Sequence, residues 1–128
     1  MAWSEVAAVG LGGAIGAISR YAASAAIKWR WPEATFQATF VVNLIGSFLI
    51  GIALARLIPK QQAILTVFLM TGVLGGFTTF SAFSADNFSL LKSGQWGLLI
   101  LNSFGQVLGG ILAAALGIAC MGGLKQSL

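Results

Sequence analysis

Apolar residues fall into four long runs, at residues 5–27, 35–57, 63–91 and 96–123. Short segments of different character close them: "KWRWPE" (28–33), "RLIPKQQ" (56–62), "KSGQW" (92–96), and Lys125 after the last. A hydrocarbon core about 30 Å thick takes about 20 apolar residues per helix, so the pattern predicts an all-α membrane protein with four spans, tightly connected in one domain covering residues 1–128. Lys28, Arg30, Trp29, Trp31 and Pro32 have the character of interfacial anchors, as do Arg56 and Lys60 after the second run.

The third run does not fit a straight crossing. Residues 63–91 would make a helix of about 43 Å at 1.5 Å per residue, well beyond the hydrocarbon core. Such a span tilts steeply or breaks, and a break at membrane depth is tolerated only where protein or a water-filled cavity satisfies the freed peptide groups. Inside this run lies "GGFTTFSAF" (75–83). The glycine pair followed by Thr78 and Thr79 marks the expected break, near Gly75 to Thr79, and the expected seat of function.

Composition agrees with the pattern. The chain has 58% hydrophobic and only 8% charged residues, with a mean hydropathy of +0.93, far from a soluble domain. Its formal charge of +4 comes from basic residues scattered singly at span ends, which argues against a nucleic-acid surface. Histidine is absent and Glu5, Glu33 and Asp86 are the only carboxylates, so the usual general bases and metal ligands of an enzyme are missing. A lone Cys120 within an apolar run reads as a small hydrophobe and allows no disulfide within the chain. The start, "MAWSEVAAVGLGG", has an acid and no basic flank before its apolar run, so the first run is expected to be retained as a span.

With Arg20 set aside as intramembrane, Arg56, Lys60 and Lys125 fall on the side of the amino terminus and Lys28, Arg30 and Lys92 on the other, three against three. Orientation follows the Lys/Arg bias of short loops, so a tie removes the instruction and predicts insertion both ways, the signature of an antiparallel, dual-topology homodimer. Small residues recur at four-residue spacing in every span: Gly12 and Gly16, Ser47 and Gly51, Gly72 and Gly76, Gly105 and Gly109. They read as packing contacts that let helix backbones approach closely.

A few side chains are costly at membrane depth. Arg20 is either a snorkelling anchor or the cation of a vestibule that concentrates anions. Asn43, in "TFVVNLIGS", either ties two helices together or donates its NH₂ hydrogens to a permeating anion. Phe80 and Phe83 project from one face of the helix that restarts after the break, with Ser81 and Ser84 close by. Phenylalanines at this spacing are commonly core residues. Yet ring edges are electropositive, so with a hydroxyl and an amide they can form an anion site without fixed charge. Asp86 is expected to pair with Arg20 or with the end of a neighbouring helix.

Three segments, "GGAIGAISRY" (12–21), "TFVVNLIGS" (39–47) and above all "GVLGGFTTFSAF" (72–83), resemble the small fluoride channels called Fluc or CrcB, and the four-span layout extends the resemblance over essentially the whole chain. The resemblance implies a dual-topology homodimer whose two pores export fluoride passively across the bacterial inner membrane. It implies that Phe80, Phe83, Asn43 and Ser81 line the pores and that Arg20 is the vestibule cation. It further implies that the backbone carbonyls of Gly75 and Thr78 hold a structural sodium ion (Na+) at the dimer axis. Two positions depart from the family pattern: Ala82 stands where a second hydroxyl is usual, and Asp86 where glutamate is. A small multidrug transporter of the proton-coupled kind is the alternative, but it needs a carboxylate deep in the first span, where only Glu5 stands, at the edge. A non-conducting assembly protein would account for the glycines but not for Asn43 and the Phe80–Phe83 segment.

Overall fold

The computed structural model describes residues 2–34, 36–58 and 62–122. It is all-helical, and four of its stretches are long and apolar enough to cross a membrane: Trp3–Arg30, Gln37–Leu57, Ala63–Lys92 and Trp96–Cys120. The first, second and fourth are single helices, α1 (Trp3–Arg30), α2 (Gln37–Leu57) and α6 (Trp96–Cys120). The third is composite. A turn of α-helix, α3 (Ala63–Thr66), widens into a π-type segment (Val67–Leu74), returns as the short α4 (Gly75–Phe77), and restarts as α5 (Phe80–Lys92).

Helix ends follow the chemistry of the punctuating residues. α1 continues past residue 27 through the basic and aromatic residues and stops at Trp31, whose extended backbone (φ −132°, ψ 83°) suits a residue preceding proline. The Arg30 guanidinium lies over the Trp31 ring at 5.3 Å from its centroid, an interfacial pairing. α5 closes on Gly94, whose φ of 70° only glycine adopts readily. There the N–H groups of Gly94 and Gln95 return to the carbonyls of Leu91 and Leu90. Thr35, Lys60, Gly123 and Lys125, which the sequence reading uses for span ends and charge balance, lie outside the described residues.

The break falls within the expected stretch, at its threonine end. Gly75 and Gly76 are helical; the chain leaves the helix at Thr78 (φ −79°, ψ 158°) and Thr79 (φ −152°, ψ 120°), both extended. The glycines serve packing instead. The π-type widening just before them, where the Gly75 N–H reaches the Met70 carbonyl five residues back, was not anticipated.

Spans pack as two parallel pairs. α1 lies against the π-type segment and α4, and α2 against α6. In the first pair the backbones are in contact. A Cβ on Gly12 or Gly16 would run into the carbonyls of Phe68 or Val73, and one on Gly76 would lie 2.6 Å from the Gly13 carbonyl. In the second pair, Gly51 meets the Ala114 carbonyl and Gly117 that of Phe48 in the same way, while a Cβ on Gly105 would lie 2.9 Å from the Phe40 ring. Large apolar side chains point outward along α1 (Leu11, Ile15, Ile18) and α6 (Ile100, Phe104, Leu108), the surface that a membrane or a second subunit covers.

Candidate functional site

The site is built around Thr79. Its N–H donates to Asn43 Oδ1 at 2.8 Å, and its carbonyl accepts from Asn43 Nδ2 at 3.0 Å. The α2 side chain therefore replaces the helical pairing that the break removes. Thr79 also caps the restart: its Oγ1 accepts from the Ala82 N–H at 3.2 Å, the N-terminal capping typical of threonine, and lies 3.1 Å from the Ser81 hydroxyl. Thr78 folds its hydroxyl back onto the Leu74 carbonyl, donating at 2.9 Å. Its methyl fills the space a side chain on Gly46 would need, which explains glycine three residues after Asn43.

These pairings release two carbonyls. In an unbroken helix the Thr79 N–H would return to Gly75 and the Ala82 N–H to Thr78; here they go to Asn43 Oδ1 and Thr79 Oγ1. The carbonyl oxygens of Gly75 and Thr78 thus lose these helical donors.

Phe80 and Phe83 form a ring pair at the first turn of α5, with centroids 5.3 Å apart and planes inclined by 40°. Phe80 is 78% exposed, so its ring is offered to whatever lies beside the subunit. Ser84 donates its hydroxyl to the Phe80 carbonyl at 3.0 Å. Two clefts meet at Thr79. One, of about 200 Å³, is lined by Asn43, Ser47, Thr78, Thr79 and Phe80. The other, of about 250 Å³, includes Arg20, Tyr21, Thr39, Thr79 and Ala82. Arg20 thus lines a different cleft from Phe80. The missing hydroxyl at Ala82 faces Arg20's cleft.

Asn43 carries a further partner. Its Nδ2 also donates to Gln106 Oε1 at 2.7 Å, so its two amide hydrogens go to Thr79 and Gln106, and an anion at Asn43 has to compete with both. Gln106 Nε2 donates to Asn102 Oδ1 at 2.8 Å, and Asn102 Nδ2 to Asn87 Oδ1 at 2.9 Å. Sequence reasoning passed over these three residues. The available signal was Asn102 and Gln106 four apart on one face of an apolar span, both now buried. Asp86 does not make its expected ion pair: its Oδ2 is buried with no hydrogen-bond partner among the described residues, beside a cleft lined by Phe36, Ser89, Leu90, Ser93 and Gln95.

The family model described as CrcB-like protein, Camphor Resistance (CrcB), matches residues 7–118. A protein of Opitutus terrae named "Fluoride-specific ion channel FluC" is 40% identical over 119 residues, covering 89% of this chain and 90% of its own. Its namesake in Magnetococcus marinus is 42% identical over 119 residues, covering 89% and 94%. That in Roseiflexus sp. is 41% identical over 118 residues, covering 87% and 94%. Both the family match and these relatives span the break, Asn43 and the phenylalanine pair, and the chain belongs to the CrcB-like family.

Proposed function

We propose that this protein is a fluoride-selective channel of the bacterial inner membrane, passing fluoride passively out of the cell. The observation that carries the reading is the helix break: Asn43 pins it and the Phe80–Phe83 pair restarts it, in a family whose relatives are named fluoride-specific channels. The cleft at Phe80 offers a ring, hydroxyls and an amide, and the Arg20 cation lines the neighbouring cleft. Weak, repeated binding of this kind suits conduction of a small, strongly hydrated anion, which a buried cation would hold too firmly to release.

In this reading Arg20 concentrates anions at the entrance. Fluoride then sheds water against the edges of Phe80 and Phe83, the Ser81 hydroxyl and the Asn43 amide. The working unit is an antiparallel homodimer with two pores, supported by the balanced charge count and by the exposure of Phe80. A sodium ion held by the Gly75 and Thr78 carbonyls would be structural, supplying positive charge that ties the breaks together; the two released carbonyls fit that role. Proton-coupled drug export has no support of this kind, since Glu5, the only carboxylate of α1, sits in its first turn.

Fluoride efflux from liposomes tests the reading. Purified protein is expected to release fluoride without a proton gradient and to retain chloride; equal release of both, or of neither, would contradict it.

A further inference from the structure

The four amides Asn43, Gln106, Asn102 and Asn87 form a chain whose direction is set from one end. An isolated side-chain amide can turn over and exchange donor for acceptor at little cost. Asn43 cannot, because it faces a peptide N–H and a peptide carbonyl, both on Thr79, whose polarities are invariant. That fixes Asn43 Nδ2 toward Gln106, which must present Oε1 and turn Nε2 to Asn102. Asn102 must then present Oδ1 and donate to Asn87 Oδ1. No member can reverse without setting donor against donor.

The burial is unusual for a membrane helix. Asn102 is 0% and Gln106 9% exposed, and polar groups kept there without a partner are expensive. Both stand on α6, Asn43 on α2 and Asn87 on α5, so the relay links three elements around the break. A tie between helices needs any bonded pair; a fixed direction is needed only where the orientation of one member matters. That member is Asn43, which shares the cleft with Phe80.

We propose that Gln106 and Asn102 are positioning residues for conduction: they act through Asn43, engaging its second amide hydrogen and so bracing the orientation that Thr79 sets at the fluoride path. The inference rests on the channel reading. With Gln106 unable to accept, Asn43 keeps Thr79 but gains a loose hydrogen that binds fluoride or lets the amide swing. With Asn102 unable to accept, Gln106 can turn its own NH₂ toward Asn43 and push it off Thr79.

The test is fluoride flux per assembled protein in liposomes for Gln106→Met, Gln106→Glu and Asn87→Ala. Gln106→Met keeps length and is expected to lower flux about tenfold, the worth of one net hydrogen bond. Gln106→Glu is measured at about pH 5.5 and about pH 8, since a buried carboxyl stays neutral at the acid end. Protonated, it accepts from Asn43 and donates to Asn102, so flux is expected to return to the parent level at acid pH; ionised, it still accepts from Asn43 but sets a carboxylate against Asn102 Oδ1, so flux is expected to fall at alkaline pH. Asn87→Ala, at the half-buried end where truncation opens no core cavity, is expected to lower flux about threefold through loss of one net hydrogen bond at one remove. Parent-level flux in Gln106→Met and Asn87→Ala, or a Gln106→Glu flux that does not rise with acidification, would overturn the proposal. A parent that passes no fluoride at all overturns the channel reading, and this inference with it.

Discussion

Thr79 carries more of the site than any other residue, because its backbone, its hydroxyl and its place between two clefts all serve different neighbours. Asn43→Leu would orphan the Thr79 N–H and carbonyl at membrane depth. The expected loss is about 1–3 kcal/mol for each group, read as a lowered unfolding midpoint in detergent; an unchanged midpoint would mean that the break supports itself. Thr79→Val keeps the peptide pairing but removes the cap, and about 1 kcal/mol of stability should go with it. Phe80→Ile and Phe83→Ile retain bulk without electropositive ring edges. They are expected to abolish fluoride flux while the protein elutes at the parent's size, and undiminished flux in both would refute a ring-edge path. Asn43 and Arg20 stand out beforehand as costly in a membrane, whereas Phe80 and Phe83 draw notice only through the hydroxyls and the break beside them. Asn102 and Gln106 do neither, being uncharged and outside any motif, and Asn87 acquires meaning only once α5 lies beside α6. Distances between helices, not residue types, reveal the relay.

At the scale of elements, the third span owes its form to a division of labour between neighbouring residues. Gly72 and Gly76 bring its backbone against Gly12 and Gly13, while Thr78 and Thr79 interrupt the helix with side chains able to satisfy themselves and the restart. The sequence placed the interruption over the glycine pair and the threonines together, and the structure narrows it to Thr78 and Thr79. The close contacts of the glycines explain why they remain helical, since leaving the helix would forfeit the packing against α1. The π-type turns at Val67–Leu74 have no counterpart in the residue pattern, because an apolar run reads the same whether each turn holds 3.6 residues or more. Gly16→Leu and Gly117→Leu are each expected to destabilise by about 1–3 kcal/mol or more, as the new side chain has only backbone to displace. Gly10, which has open space around it, should accept alanine with no loss, and thermal unfolding of the three variants side by side separates contact from helix propensity.

The molecule has little interior: among the larger side chains of the described residues only Val42 and Asn102 are fully buried. A broad apolar surface and an exposed Phe80 leave the subunit dependent on what surrounds it. Four spans could be read from hydropathy and length, and the excess length of the third, with the glycines and threonines inside it, placed the break near Gly75 to Thr79. The relation between two subunits could not be read in this way, because a balanced charge count removes one constraint without supplying a geometry. If the pair is antiparallel, adding two lysines among residues 59–62 should bias insertion one way and reduce flux by depriving subunits of oppositely oriented partners; unaltered flux would argue for a parallel or monomeric unit. The central claim is that a break held by Asn43 and furnished with uncharged donors conducts fluoride selectively. Liposomes loaded with equal fluoride and chloride, followed with electrodes for both ions without a proton gradient, test it most directly. Rapid loss of fluoride with chloride retained is the predicted result, and joint release of the two ions, or release of neither, would contradict it.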